Sequence, residues 1–92
     1  MKRILKYKFE KDWWDLQLEL SAYSYPVAFE LVGGEPTFWV CEYVDVGHPT
    51  RKYDFKIVGT GFTFDDSWTH CYTIRDGPYV WHLLWRENNE VV

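Results

Sequence analysis

The sequence predicts an all-β fold, a small antiparallel sandwich or partly open barrel of about six to seven short strands. Large apolar residues alternate with polar ones along most of the chain, helical spacing is almost absent, and turn-forming residues separate the alternating runs. Ninety-two residues make one domain rather than two. We therefore expect a single β domain over residues 1–86 and a loose C-terminal tail over residues 87–92.

The alternation is plainest in Trp14–Leu20, where one tryptophan and three leucines alternate with aspartate, glutamine and glutamate. This pattern is typical of a strand with one buried face. Leu5–Phe9 and Tyr53–Ile57 alternate in the same way. A further strand is predicted over residues 68–74, with Cys71 on one face and the other face formed by Trp68, His70, Tyr72 and Ile74.

Two segments are apolar on both faces, Phe38–Cys41 and Tyr79–Trp85. Strands that are buried on both faces have this composition. Either the larger stripe of the second segment faces the core, or a second subunit covers it, because a soluble monomer rarely leaves such a stripe open. We therefore expect a homodimer in which both subunits use the same patch.

Glycine and proline mark the turns between these strands. Gly33–Pro36 and Asp76–Pro78 each predict a hairpin turn, and Gly47–Lys52 predicts a longer loop. Gly59–Gly61 predicts a bulge or a corner, with a positive φ or a close backbone contact at Gly61. A phosphate-binding loop is disfavoured there, because nucleotide fingerprints need a longer glycine pattern followed by a helix.

Composition excludes several classes of function. The net charge of −4 argues against nonspecific nucleic-acid binding, which requires a basic surface. The first residues lack the apolar core of a signal peptide, and no stretch approaches the ~18–20 apolar residues of a membrane span. We therefore expect a cytoplasmic protein with no membrane contact, in which Cys41 and Cys71 are free thiols.

No residue pattern for catalysis, a metal ion or a cofactor stands out. His70 and Cys71 are adjacent on a predicted strand and point to opposite faces, so that they cannot share a metal ion without distortion. Ser67 lies near Asp65, Asp66 and His70, but this group favours a turn over a hydrolase triad. We expect a protein without enzymatic activity, cofactor or metal.

Four segments, in order, resemble an uncharacterised family of small phage and prophage proteins. They are a short first strand, a hairpin leading into an aromatic strand, a strand ending in Gly-Thr-Gly, and a final Trp-His strand, at Ile4–Tyr7, Gly33–Trp39, Phe55–Gly61 and Gly77–Leu83. Phe62 departs from the pattern, since family members usually carry histidine there. The resemblance implies a phage accessory protein, of the kind that often inhibits host factors or defence systems in the bacterial cell.

We expect an interaction protein that binds a host protein through an exposed aromatic and acidic surface. One alternative is an oligomer that binds a nucleotide-like small molecule, with backbone donors at Gly59–Gly61 and with Trp39 or Trp81 as a stacking platform. A hydrolase is the least favoured alternative. The residues predicted to contact a partner or ligand are Trp39, Tyr43, His48, Gly59, Thr60, Gly61, Trp81 and His82.

Overall fold

The computed structural model describes residues 1–10, 14–45 and 47–88. Seven strands run through this part of the chain, in agreement with the predicted number. They are β1 (Lys2–Lys8), β2 (Asp15–Ser21), β3 (Tyr25–Val32), β4 (Glu35–Tyr43), β5 (Thr50–Gly59), β6 (Thr69–Asp76) and β7 (Tyr79–Asn88).

The strands form two antiparallel sheets whose apolar faces pack together. One sheet has the order β1-β4-β3, and the other has the order β2-β5-β7-β6. Because neither sheet closes into a barrel, the molecule is a small sandwich, and the predicted fold class is confirmed. Among the described residues there is no helix long and apolar enough to cross a membrane.

Both predicted hairpin turns are confirmed. Gly33 and Gly34 connect β3 to β4 with φ angles of 60° and 81°, as a turn with two left-handed central residues requires. Between β6 and β7, Gly77 has a φ of 56° and precedes Pro78. Because the proline ring fixes a negative φ, only the first central residue of that turn can be left-handed, and it is the glycine.

The core lies between the two sheets around Phe38 of β4. Phe38 is fully buried, and its ring centroid lies 4.7 Å from that of Phe55 on β5 in the opposite sheet. Tyr7 and Phe9 pack on the same ring at 5.7 and 5.2 Å. Leu83 of β7, also fully buried, belongs to the same cluster. Large rings thus let a short chain fill the space between two sheets.

Both apolar faces of β7 are covered from within the chain. The inner face packs on the core through Trp81, Leu83 and Trp85. On the outer face Leu84 is fully buried, because the segment between β5 and β6 folds back across the sheet. Its Trp68 ring lies 4.1 Å from the Arg86 guanidinium carbon and 4.5 Å from Lys56 Nζ, and both of these side chains flank Leu84. The structure therefore shows the first of the two alternatives, in which the larger stripe faces the core, except for Tyr79, which is 59% exposed. The homodimer stays a prediction.

β6 contains a bulge that the alternation did not predict. Its register with β7 shifts between His70 and Tyr72, so that Cys71 is the extra residue. Tyr72 and Ile74 pack on the core, whereas His70 lies on the outer face with Thr73. The prediction that residues 68, 70, 72 and 74 share one face is therefore wrong.

The two cysteines are free, as expected. Cys41 lies in the three-stranded sheet and Cys71 in the four-stranded sheet. Burial raises the pKa of the Cys71 thiol to about 12, and its Sγ donates to the Leu83 carbonyl oxygen at 3.2 Å. Cys71 is therefore a protonated and unreactive thiol at neutral pH.

β7 continues to Asn88, so that the first two residues of the predicted tail belong to a strand paired with β5. The rest of that tail, residues 89–92, lies outside the described residues.

Replacing Phe38 by alanine is expected to lower the free energy of unfolding by about 3–5 kcal/mol, because a fully buried ring is lost at the contact between the sheets. Denaturant unfolding followed by fluorescence measures the change. The control is Ile4→Ala on the outer face of β1, where the side chain is 60% exposed and the cost should stay below about 0.5 kcal/mol. Equal costs for the two variants would contradict this packing.

Candidate functional site

The residues predicted to bind a partner or ligand fall into two groups. The first lies at one end of the β5–β7 pair and consists of Gly59, Thr60, Gly61, Trp81 and His82. The second lies on and after β4 in the other sheet and consists of Trp39, Tyr43 and His48. The first group borders two open clefts and forms the candidate site.

Strand pairing brings the glycine segment beside the start of β7. In the β5–β7 register Gly59 lies opposite Trp81, and Val58 lies opposite His82. Trp81 therefore borders the inner side of the sheet, and His82 borders the outer side. The two clefts open on these two sides of the same strand end.

The chain turns sharply after β5. The Thr60 N–H donates to the Val80 carbonyl oxygen at 3.3 Å, and the Phe62 N–H donates to the Gly59 carbonyl oxygen at 3.2 Å. Gly61 has a φ of 93°. This confirms that Gly-Thr-Gly forms a corner with a left-handed second glycine. Because the Thr60 N–H already donates to a carbonyl oxygen of β7, it is not available as a donor to an anionic ligand.

An apolar cleft of about 380 Å³ lies beside Gly59. We call it the aromatic cleft, and it is lined by Trp14, Ile57, Val58, Gly59, Phe62 and Trp81. The Trp14 and Trp81 rings stack with their centroids 5.2 Å apart, and Tyr79 stacks on Trp81 at 5.7 Å. Phe62 is 71% exposed and Trp14 is 43% exposed. Exposed rings grouped around a concave surface are typical of binding sites.

Gly59 allows one wall of the aromatic cleft to approach the strand. A Cβ atom at this position would lie 3.2 Å from two ring carbons of Phe62 and 3.5 Å from the Trp81 ring. The first distance is shorter than an ordinary van der Waals contact. A side chain at residue 59 would therefore displace Phe62.

A second cleft of about 340 Å³ adjoins Gly59 and holds a series of side-chain hydrogen bonds. Thr73 Oγ1 lies 2.8 Å from His70 Nε2 and 2.8 Å from His82 Nδ1. The other His82 nitrogen, Nε2, lies 2.8 Å from Thr60 Oγ1. We call these four residues the His–Thr chain. Phe64 supplies an apolar wall beside it.

With neutral imidazoles, the His–Thr chain can be ordered in two directions. Each hydroxyl has one proton, and each neutral ring has one N–H. When Thr73 donates to His82 Nδ1, His82 Nε2–H donates to Thr60. When His82 Nδ1–H donates to Thr73, Thr73 donates to His70 and Thr60 donates to His82 Nε2. A ligand that binds at either end would therefore fix the tautomer of His82.

Sequence reasoning missed seven of the residues that line the two clefts, which are Trp14, Ile57, Val58, Phe62, Phe64, His70 and Thr73. His70 and Thr73 reach the same face because of the bulge at Cys71, and no residue type marked that bulge in advance. Trp14 was assigned to the inner face with the leucines of β2, but it precedes the first residue of that strand and is partly exposed. Its ring is a contact of Trp81, which the sequence did predict.

Trp39, Tyr43 and His48 are not among the residues that line either cleft. Trp39 is half-buried on the outer face of the three-stranded sheet, opposite Lys6. The Tyr43 and His48 rings stack with centroids 4.8 Å apart and an interplanar angle of 5°. Of the two predicted stacking residues, Trp81 alone lies beside Gly59–Gly61.

The residues considered for a hydrolase are held in a turn. The Ser67 N–H donates to Asp65 Oδ1 at 2.8 Å, and the Ser67 hydroxyl donates to the same oxygen. These hydrogen bonds hold the pKa of Asp65 below its usual value. His70 contacts Thr73 instead of Ser67. Within the described ranges, no three His, Cys, Asp or Glu residues lie close enough together to hold a metal ion.

A family model described as a domain of unknown function (DUF7352) matches residues 1–92. The chain belongs to this family. Neither a curated protein sequence nor a solved structure matches it. The match covers all seven strands, so that the aromatic cleft and the His–Thr chain both lie within the DUF7352 domain. Membership of a family of unknown function is therefore confirmed, and a phage or prophage origin stays a prediction.

In this DUF7352 domain, Gly61→Ala is expected to lower the free energy of unfolding by about 1–2 kcal/mol, because residue 61 has a φ that L-residues rarely adopt. The matched variant Thr60→Ala loses one exposed hydrogen bond to His82 and should cost less than about 1 kcal/mol. Denaturant unfolding compares the two. A larger cost for Thr60→Ala would contradict the left-handed corner.

Proposed function

We propose that this protein is a non-enzymatic accessory protein that binds a protein of a bacterial host through the aromatic cleft and thereby inhibits or modulates it. The observation that supports this proposal is the group of solvent-exposed rings around Gly59. Aromatic residues at the centre of an interface contribute most to affinity when an apolar side chain of the partner fills the space between them.

The aromatic cleft suits an apolar anchor from a partner protein. Trp14 stacks on Trp81, and the Phe62 ring lies beside Gly59, so that aromatic rings form two walls of the cleft. Burying their exposed area would contribute about 25 cal/mol per Å². His82 and Thr60 line the adjoining cleft on the outer side of the sheet, where they supply polar groups next to such an interface.

Two further features favour a host protein as the partner. The resemblance to small phage and prophage proteins implies an accessory role in the bacterial cytoplasm, where such proteins inhibit host factors, including defence systems. The net charge of −4 favours a partner with a basic surface around its apolar anchor, because complementary charge speeds association.

The proposal is tested by placing a photo-crosslinking phenylalanine derivative at position 62 and irradiating bacterial cells that express the protein. A discrete crosslinked host protein is expected, because this ring is exposed at the cleft. The same derivative at position 4, exposed on the other sheet, is the matched control and should give no such product.

Binding of the purified host protein should then weaken by at least about tenfold in Trp14→Ala, while Ile4→Ala leaves the affinity unchanged. The absence of a discrete product at position 62, or equal affinities for the two variants, would contradict a partner site in the aromatic cleft.

The alternative function, binding of a small molecule, is favoured by the His–Thr chain. This chain offers hydrogen-bonding groups beside an apolar wall, which is the usual composition of a ligand site. Native mass spectrometry of protein purified from phage-infected bacteria would distinguish the two functions. A bound small molecule of constant mass would favour the alternative, and a bound host protein would favour the main proposal.

A further inference from the structure

A second aromatic cleft, of about 450 Å³, lies at the opposite end of the β5–β7 pair. We call it the tyrosine cleft, and it is lined by Tyr23, Ser24, Tyr25, Arg51, Tyr53, Trp85 and Glu87. Tyr53 pairs with Glu87 near one end of the β5–β7 register, whereas Gly59 pairs with Trp81 at the other end. The tyrosine cleft is therefore separate from the proposed partner site.

Tyr23 is an unusual residue for its place in the fold. It has a φ of 68° in the turn between β2 and β3, a conformation that costs a bulky L-residue about 1 kcal/mol or more and that glycine or asparagine adopts easily. Its ring is 75% exposed, while Ala22 and Ser24 on either side are buried. The fold needs a left-handed residue here, but it does not need an exposed aromatic ring.

The turn itself is held by its neighbours. The Ser24 hydroxyl donates to the Ser21 carbonyl oxygen at 2.6 Å, and the Ser24 N–H donates to the same oxygen at 3.3 Å. These bonds fix the backbone around Tyr23 without using its side chain. A strained residue whose side chain stands in solvent at the edge of a cleft indicates a role in binding.

The rest of the cleft has an aromatic floor and a rim of balanced charge. The Tyr53 and Trp85 rings stack with centroids 5.8 Å apart. Arg51 and Glu87 form an ion pair of 3.0 Å in which both side chains are more than a third exposed. An exposed ion pair of this kind contributes little to the stability of the fold, so Arg51 and Glu87 can each leave their mutual contact and bind a ligand. Burial, with the nearby Glu87 carboxylate, raises the pKa of Tyr53, which stays a neutral phenol.

We propose that the tyrosine cleft binds an uncharged saccharide. The C–H groups on one face of a pyranose ring pack against aromatic rings such as Tyr23 and Trp85, while its hydroxyl groups accept from Arg51 and donate to Glu87. A cationic ligand would meet the Arg51 guanidinium, and an anionic ligand would meet the Glu87 carboxylate. A neutral ligand with an apolar face and with donors and acceptors at its edge satisfies both groups.

The test is a titration of ¹⁵N-labelled protein with methyl glucopyranoside, methyl mannopyranoside, N-acetylglucosamine and their β-linked disaccharides, followed by amide chemical shifts. At least one sugar is expected to give saturable shifts at residues of the tyrosine cleft, with millimolar affinity. Tyr23→Gly should weaken that binding by roughly tenfold or more, with a melting temperature equal to or above that of the wild type, because glycine tolerates the backbone at this position.

Two further variants complete the experiment. Tyr23→Asn, which also tolerates a left-handed backbone, should lose binding in the same way and serves if the glycine variant does not fold. Tyr79→Ala removes an exposed tyrosine at the opposite end of β7 and should bind the sugar as the wild type does. The proposal is overturned if no sugar shifts the cleft residues, if both Tyr23 variants bind normally, or if choline or inorganic phosphate occupies the cleft instead.

Discussion

The rest of the structure depends on covering both faces of β7. Leu83 and Leu84 are successive residues that point to opposite sides of the sheet, and both are fully buried. The inner side faces the core between the sheets, where Phe38 of the three-stranded sheet packs on Phe55 of the four-stranded sheet. The outer side is covered by the segment between β5 and β6, where the Trp68 ring contacts two cationic side chains of the four-stranded sheet. A chain of this length thereby buries Leu83 and Leu84 with its own residues.

The candidate sites lie at the two ends of this covered strand. The segment that covers the outer face must leave β5 through a sharp corner, and that corner sets Phe62 beside Gly59 and Thr60 beside His82. The bulge in β6 adds His70 and Thr73 to the same side. At the other end, Trp85 continues the inner face of β7 beneath the turn that presents Tyr23. The aromatic cleft and the tyrosine cleft thus lie at the two ends of the β5–β7 pair, but they differ in chemistry, since the first is apolar and the second has an ion pair at its rim.

Local features of the fold could be predicted from the sequence, and features that depend on pairing could not. Alternation with a period of two shows which face of a strand is apolar, and glycine with proline shows where it turns, so the number of strands, both hairpins and the corner at Gly61 were predicted correctly. The same period cannot show which strand is the neighbour, nor that an extra residue at Cys71 reverses the phase. The position of Trp68 over the outer face of the four-stranded sheet was missed because residues 68–74 were assigned to a strand. Of the predicted site, the five residues near Gly59 come together through the β5–β7 register, whereas Trp39, Tyr43 and His48 lie elsewhere.

The most direct test of this account is whether Trp68 covers the outer face of its own sheet. Isotope-filtered nuclear Overhauser spectra of a mixture of labelled and unlabelled protein separate contacts within one chain from contacts between chains. The account predicts contacts from the Trp68 indole protons to the side chains of Lys56 and Arg86 within the same chain, with the protons of both side chains shifted upfield by the ring. Contacts that appear only between chains, or an indole with no contact to either side chain, would contradict it.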